Sequence, residues 1–245
     1  MTADDPRIHL IVLFGGQSAE HDVSCTSATH VLRAANPSRY RITPVGISRD
    51  GRWMVADDAV AALMNGPAAI PDRLIASGTP TSLESLIAPG HTTVVVPLLH
   101  GPMGEDGTMQ GLLELTNVAY VGSGVLASAV AMDKAMAKDL AAHHGLPQAR
   151  HVSLRADRVH PGSADELIDT LGLPLFVKPA NMGSSVGVSK AKDADQLRAA
   201  ISLALAYDEW IVVEEAIVGR EIEVAVLGGL QPEASLPGEV VPGAE

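Results

Sequence analysis

Residues 8–14 form an unbroken apolar run of strand length that ends at Gly15-Gly16, and the stretch after it places Val23, Ala28, Val31, Leu32 and Ala35 at helical spacing. The pattern predicts a strand, a glycine turn and a helix. A second strand over 42–47 follows Pro37, and Asp50-Gly51 reads as a hairpin turn leading into residues 53–55. Residues 93–97 predict a further buried strand that runs into a glycine-rich loop at 100–107. Strands alternating with helical patterns point to an open, mostly parallel sheet covered by helices. In such sheets ligands collect at the carboxyl ends of the strands, where both glycine loops fall.

From Asp133 onward the pattern changes, with the break between the two halves expected around 125–133. Asp133 is placed to cap a helix that stops at Gly145, with Pro147 just beyond. Ser163 and Glu166 have the spacing of a capping box for a helix ending near Gly172. Residues 175–178 predict a strand, 180–187 a loop rich in Gly and Ser, and 188–190 another short strand. Asp193 caps a helix carrying Leu197, Ile201 and Leu205 on one face, and strands over 211–214 and 221–227 follow.

Composition narrows the function classes. With 47% hydrophobic and 19% charged residues over 245, the chain can bury a core and is neither disordered nor a coiled coil. Its 17 Lys+Arg against 29 Asp+Glu give a formal charge of −12, which argues against nucleic-acid binding. The one cysteine, Cys25, makes no internal disulfide, and no Cys/His spacing suggests structural zinc. The longest apolar runs fall far short of a membrane helix, and residues 1–7 lack the basic flank of a signal peptide. A cytoplasmic protein without membrane contact is the expectation.

The most informative segment is Val177-Lys178-Pro179-Ala180-Asn181-Met182-Gly183-Ser184-Ser185-Val186-Gly187-Val188. A lysine ending a buried strand is costly unless its ammonium meets an anion, and glycines let backbone N–H groups close on phosphate oxygens. Taken alone, the same residues also fit a hairpin with its lysine reaching to solvent. The segment matches neither G-x-x-x-x-G-K-[ST] nor G-x-G-x-x-G, which disfavours a P-loop protein or an NAD-dependent oxidoreductase.

The order of motifs resembles a known family. Met132-Asp133-Lys134, the 178–187 segment, and Val213-Glu214-Glu215-Ala216-Ile217 followed by Gly219-Arg220-Glu221 resemble the ATP-grasp fold. In the first half, Phe14-Gly15-Gly16-Gln17-Ser18-Ala19-Glu20-His21-Asp22-Val23-Ser24 comes first. Leu99-His100-Gly101, Gly104-Glu105-Asp106-Gly107-Thr108 and Tyr120-Val121-Gly122-Ser123-Gly124 follow it in order. Together they resemble the D-alanine–D-alanine ligase family. The likeness implies an α/β chain in three parts. Residues 1–130 would be a Rossmann-like, substrate-binding domain with an open parallel sheet, 131–215 a central ATP-grasp subdomain, and 216–245 the start of a third.

It also implies an activity and a set of roles. The family phosphorylates the carboxylate of one D-alanine with ATP, and the amine of a second D-alanine attacks the acyl phosphate, yielding a peptidoglycan precursor. By resemblance Lys134 and Lys178 contact the ATP phosphates, and Ser185 lies in the loop that covers them. Two of only five lysines fall on these positions. Glu214, Glu215 and Ile217 belong to a hinge whose backbone reads the adenine edge, and Glu221 accepts from the ribose hydroxyls. Glu20 anchors the ammonium of the first D-alanine, Ser184 joins it in catalysis and positioning, and His100 faces that substrate's carboxylate. Read singly, each has a plainer alternative: Lys134 a solvated helix start, Glu20 a first-turn residue favouring the helix dipole, Glu221 an exposed strand end, His100 a structural histidine.

The likeness stops at Glu245, before the omega loop, the magnesium or manganese ligands and the transition-state arginine of the family. The expectation is therefore a chain with no metal ligands of its own, inactive alone, whose last strands expose an edge and an apolar face. Two other readings stay open: a non-catalytic ATP- or D-alanine-binding fragment, and a relative that joins D-alanine to D-lactate or D-serine. Family members commonly pair through the N-terminal domain, which makes a homodimer the expected self-association.

Overall fold

The structure is a computed structural model that describes residues 5–87 and 91–241. Its first half comprises β1 (Ile8–Gly15), α1 (His21–Ala34), β2 (Tyr40–Ile47), β3 (Trp53–Val55), α2 (Asp57–Met64), β4 (Thr79–Pro80), α3 (Leu83–Leu86), β5 (Thr93–Pro97), α4 (Thr108–Leu115), β6 (Ala119–Tyr120) and α5 (Val125–Met132). The strands make one six-stranded sheet in the order β4-β3-β2-β1-β5-β6. Strand β1 runs parallel to both β2 and β5, and β6 parallel to β5, whereas β3 and β4 are antiparallel additions at one edge.

The uninterrupted apolar run of β1 has a direct cause, because both faces of its strand are covered. Val12 and Phe14 pack with Cys25, Ala28 and Leu32 of α1, while Ile11 and Leu13 point the other way against Val95 and Leu113. The buried stripe of α1 is His21, Ser24, Cys25, Ala28, Thr29 and Leu32. Val23, expected on that stripe, is 54% exposed. Polar residues displace it because they find partners. Ser24 Oγ accepts from Gly15 N–H at 2.8 Å and donates to the Leu98 carbonyl at 2.5 Å, tying the ends of β1 and β5 to the helix. Ser24→Ala strands both backbone groups in a fully buried place and should cost about 1–3 kcal/mol in urea unfolding. An unchanged midpoint would contradict that clamp.

His9, in β1, is buried, with Nε2 2.8 Å from Thr43 Oγ1. Burial first, and then the charge of Arg41, push its pKa down to about 4 from the usual 6.5. The unfolded chain therefore binds more protons than the folded one between those values, so stability falls as pH drops from about 6.5 toward 4. Replacing His9 with leucine should flatten that part of the stability–pH curve. An unaltered slope would show that His9 does not carry it.

The second half contains α6 (Lys134–His143), β7 (His151–Arg155), α7 (Ser163–Leu171), β8 (Leu175–Pro179), β9 (Ser189–Ala191), α8 (Ala194–Leu205) and β10 (Trp210–Glu215). The four strands form an antiparallel sheet in the order β7-β10-β8-β9. Leu175 and Val177 of β8 and Ile211 and Val213 of β10 face α7 and α8, which contribute Leu167, Leu171, Leu197, Ile201 and Ala204. By the alternation of strands, Phe176, Lys178 and Glu214 fall on the opposite face. Asp133 caps α6 as expected, accepting from Ala135 and Met136 N–H at 2.9 and 3.0 Å. The stretch 125–133, where the two halves were expected to meet, is occupied by the helix α5 and this cap. The Ser163–Glu166 capping box does not form. Gly162 holds the cap position of α7, and Ser163 Oγ is taken by His160 N–H at 2.9 Å.

Beyond β10 come β11 (Glu221–Glu223), β12 (Val226–Leu227), β13 (Glu233–Ala234) and β14 (Gly238–Val240). The single strand expected over 221–227 is split in two. Strand β11 pairs with β14 and β12 with β13, as separate two-stranded ribbons. Leu227, Leu230 and Leu236 are exposed on this part of the chain, in line with the expected apolar face.

Candidate functional site

A cavity of about 560 Å³ opens on the face of the antiparallel sheet opposite α7 and α8. Lys134, Lys178, Ser184, Ser185, Glu214, Glu215, Ile217 and Glu221 all line it, so every residue expected at the nucleotide is gathered in one place. The lysines arrive from different elements. Lys134 opens α6, its N–H donating to the Ala180 carbonyl at 3.0 Å and its Nζ to the Met182 carbonyl at 2.5 Å. Burial, and then the neighbouring Lys178 charge, lower its pKa below the usual lysine value. Lys178, next to last in β8, donates to Glu214 Oε1 and lies 5.8 Å from the centre of the Phe176 ring.

The loop between β8 and β9 is held from beneath. Asp208 Oδ2 accepts from Asn181 N–H at 2.7 Å and from its Nδ2 at 3.1 Å, and Nδ2 also reaches Asp133 at 3.2 Å. Gly187, at φ +72°, has no room for a side chain, since a Cβ there would stand 2.7 Å from both Pro179 and Tyr207. Ser184 and Ser185 adopt φ of 45° and 58°, the left-handed region that L residues rarely occupy. No protein acceptor engages their N–H groups among the described residues, which leaves both as open donors.

Not every acidic side chain in the cavity is available to a ligand. The Glu215 carboxylate accepts from Arg150 N–H at 2.9 Å and Nε at 2.8 Å, and those two bonds hold its pKa below the usual range. Backbone pairing takes further groups, with Glu215 N–H on the Arg150 carbonyl and Ala216 N–H on that of Pro174. Among the described residues the Ile217 N–H has no backbone partner, and its side chain is exposed at the cavity. Glu221 stands exposed at the head of β11.

Glu20 comes from the other half, at the start of α1. Ser184 Oγ donates to Glu20 Oε1 across 164 residues of sequence. The carboxylate sits in a slot between two glycines: a Cβ on Gly101 or on Gly183 would come within 2.5 Å of Glu20 Oε2. Ser18 Oγ donates to the His100 carbonyl at 2.7 Å and accepts from Glu20 N–H at 3.2 Å, coupling the two glycine loops. The His100 ring turns toward α1, with Nε2 3.2 Å from Ser27 Oγ, and lines two further cavities of about 190 and 430 Å³ instead of the large one. Glu20 and Ser184 are thus brought into contact, and His100 is joined to them through its backbone.

Sequence reasoning missed Lys138, Arg150 and Asp208, which hold Glu214, Glu215 and Asn181. Only Lys138 gave a signal, four residues after Lys134 and hence on the same helix face. Among the described residues no group of three or more His, Cys, Asp or Glu could hold a metal ion. No helix described is long and apolar enough to cross a membrane.

Two family models match, described as D-ala D-ala ligase N-terminus over residues 9–123 and D-ala D-ala ligase C-terminus over 140–245. The chain belongs to the D-alanine–D-alanine ligase family. The D-alanine–D-alanine ligase of Bacillus pumilus is 46% identical, the match covering 96% of this chain and 68% of that relative. That of Geobacillus thermodenitrificans is 44% identical over 96% and 67%. Among solved structures, the D-alanine-D-alanine ligase from Coxiella burnetii superposes with a TM-score of 0.82 at 36% identity, over 96% of this chain and 71% of that one. The VanG D-Ala:D-Ser ligase from Enterococcus faecalis gives 0.76 at 32%, over 95% and 69%. The family is one of ATP-dependent ligases with the ATP-grasp fold, and the mixed sheet architecture described above is that fold.

Proposed function

We propose that this chain binds ATP in the 560 Å³ cavity and a first D-alanine beside Glu20, as part of ATP-dependent joining of two D-alanines. In that reaction a carboxylate oxygen of the first D-alanine attacks the terminal phosphorus of ATP and ADP leaves. The amine of the second then attacks the acyl phosphate, forming the peptide bond and releasing phosphate and a proton. The reading is carried by one observation: the Ser184–Glu20 hydrogen bond stands at the rim of the lysine-lined cavity, so the two substrates would meet at that residue pair.

The residues then divide the work of binding and orientation. Lys134, Lys178 and the open N–H groups of Ser184 and Ser185 take the phosphates, a charge-matched arrangement for a transfer that depends on positioning and electrostatics. Ile217 N–H and the backbone from Glu214 to Ile217 face the adenine, and Glu221 the ribose. Glu20 receives the substrate ammonium, Ser184 fixes Glu20, and His100 lies on the carboxylate side. Magnesium or manganese, when bound, neutralises charge on the transferred phosphate. The described residues supply no donor cluster for that ion. We further propose the division into 1–130, 131–215 and 216–245, a homodimer through the first part, and a cytoplasmic setting in peptidoglycan precursor synthesis.

Calorimetric titration with ATP and then D-alanine tests the binding reading. Saturable binding of both is expected, with D-alanine binding lost in Glu20→Gln, whereas a chain that binds neither would overturn it. The likeness to a D-Ala:D-Ser ligase gives a second reading, in which the second substrate differs. Phosphate release with D-alanine alone, compared with D-alanine plus D-serine, separates the two, and no release with either marks a binding-only chain.

A further inference from the structure

One half-buried charge beside the cavity has no part in the roles above. Lys138 stands one turn after Lys134 on α6, with its side chain 18% exposed, and its Nζ lies 2.9 Å from Glu214 Oε2. The other oxygen of Glu214 accepts from Lys178 Nζ, and the Glu214 side chain is 11% exposed. A single carboxylate therefore bridges two ammonium groups. Burial alone would raise the Glu214 pKa, and the hydrogen bonds from Lys178 and Lys138 outweigh it, so the carboxyl stays ionised below its usual range.

The bridge bears on what Lys178 can do. If Lys178 were the only partner of Glu214, turning its ammonium toward a ligand would leave a buried carboxylate without a counter-charge, which is strongly unfavourable. With Lys138 on the second oxygen, the carboxylate remains compensated wherever Lys178 points. Lys138 itself does not line the cavity, so it lies behind Glu214 and not at the ligand.

We propose that Lys138 is a positioning residue for nucleotide binding: by holding Glu214 Oε2 it frees Lys178 to move from Glu214 Oε1 to the phosphate oxygens of a bound nucleoside triphosphate. The inference rests on the ATP reading of the cavity. It assigns Lys138 an effect that passes wholly through Glu214 and is felt by phosphates and not by the nucleoside.

A double-mutant cycle in this chain reads both properties. ATP and adenosine are titrated calorimetrically into wild type, Lys138→Met, Glu214→Gln and the double variant. Lys138→Met should weaken ATP on the order of tenfold and leave adenosine within about twofold, and the double variant should bind ATP within about twofold of Glu214→Gln alone. Equal loss of ATP and adenosine in Lys138→Met would make the lysine a packing residue and overturn the proposal. So would the same ATP loss on adding Lys138→Met to Glu214→Gln as on adding it to wild type. Should Lys138→Met fail to fold, the double variant against Glu214→Gln still decides, since neither contains a carboxylate to be stranded. A wild-type chain that binds neither ATP nor adenosine would overturn the ATP reading itself, and is recognised before any substitution is made.

Discussion

A Gly183→Ala substitution is expected to lower D-alanine affinity by about 10- to 100-fold. The added methyl would start 2.5 Å from Glu20 Oε2, and 3.3 Å from the carboxylate carbon, in a slot closed on the far side by Gly101. Backbone strain is not the cause, because Gly183 does not occupy the left-handed region. The carboxylate end of Glu20 is the part that can yield, so the side chain is pushed off the position Ser184 holds it in. Displacement by a fraction of an ångström is enough to spoil a charge-assisted bond to an ammonium group. Calorimetry on the folded variant checks this, and undiminished D-alanine binding would mean that Glu20 is not the anchor. Gly101→Ala should be worse for folding as well, since Gly101 sits at φ +69°.

Lys178→Ala is expected to weaken ATP binding on the order of 100-fold, with adenosine scarcely affected. Lys134 does not replace it, because its ammonium is tethered to the Met182 carbonyl and reaches the phosphates from its own place with its remaining donors. Lys190 provides the control. It lies 5.5 Å from the same Phe176 ring that Lys178 approaches, yet it does not line the cavity, and Lys190→Ala should leave ATP binding unchanged. Equal affinity of wild type and Lys178→Ala for ATP would remove the phosphate role from that lysine.

The parts of the fold that were readable in advance are those in which one physical requirement dominates. Strands β1, β5, β8 and β10 are short apolar runs because helices or loops cover them, and Asp133 and Asp193 cap helices because their carboxylates have free N–H groups to accept from. Reading failed where two local solutions compete. Val23 lost its place on the buried stripe to Ser24, whose hydroxyl has two backbone partners, and Ser163 was drawn to His160 N–H instead of closing a box with Glu166. Neither outcome follows from spacing, since both depend on where another segment passes.

The candidate site divides in the same way. Ordered motifs brought Glu20 and Ser184 together although 164 residues separate them, and the structure places them in contact. The supporting charges escaped notice. On a helix surface Lys138 has the pattern of a solvated residue, and its burial depends on Glu214 arriving from the central strand of a sheet formed later in the chain. Arg150 likewise looks like an ordinary surface cation until β7 and β10 align it with Glu215.

The left-handed conformations of Ser184 and Ser185 set folding and activity against each other at two adjacent positions. An L residue held there costs on the order of 1 kcal/mol, a cost that glycine does not incur. A chain selected for stability alone would carry Gly-Gly at this point and would lose the hydroxyl that reaches Glu20. Programmes that stabilise enzymes by following local backbone preference would therefore include these two serines among their choices, and at Ser184 would trade substrate recognition for melting temperature.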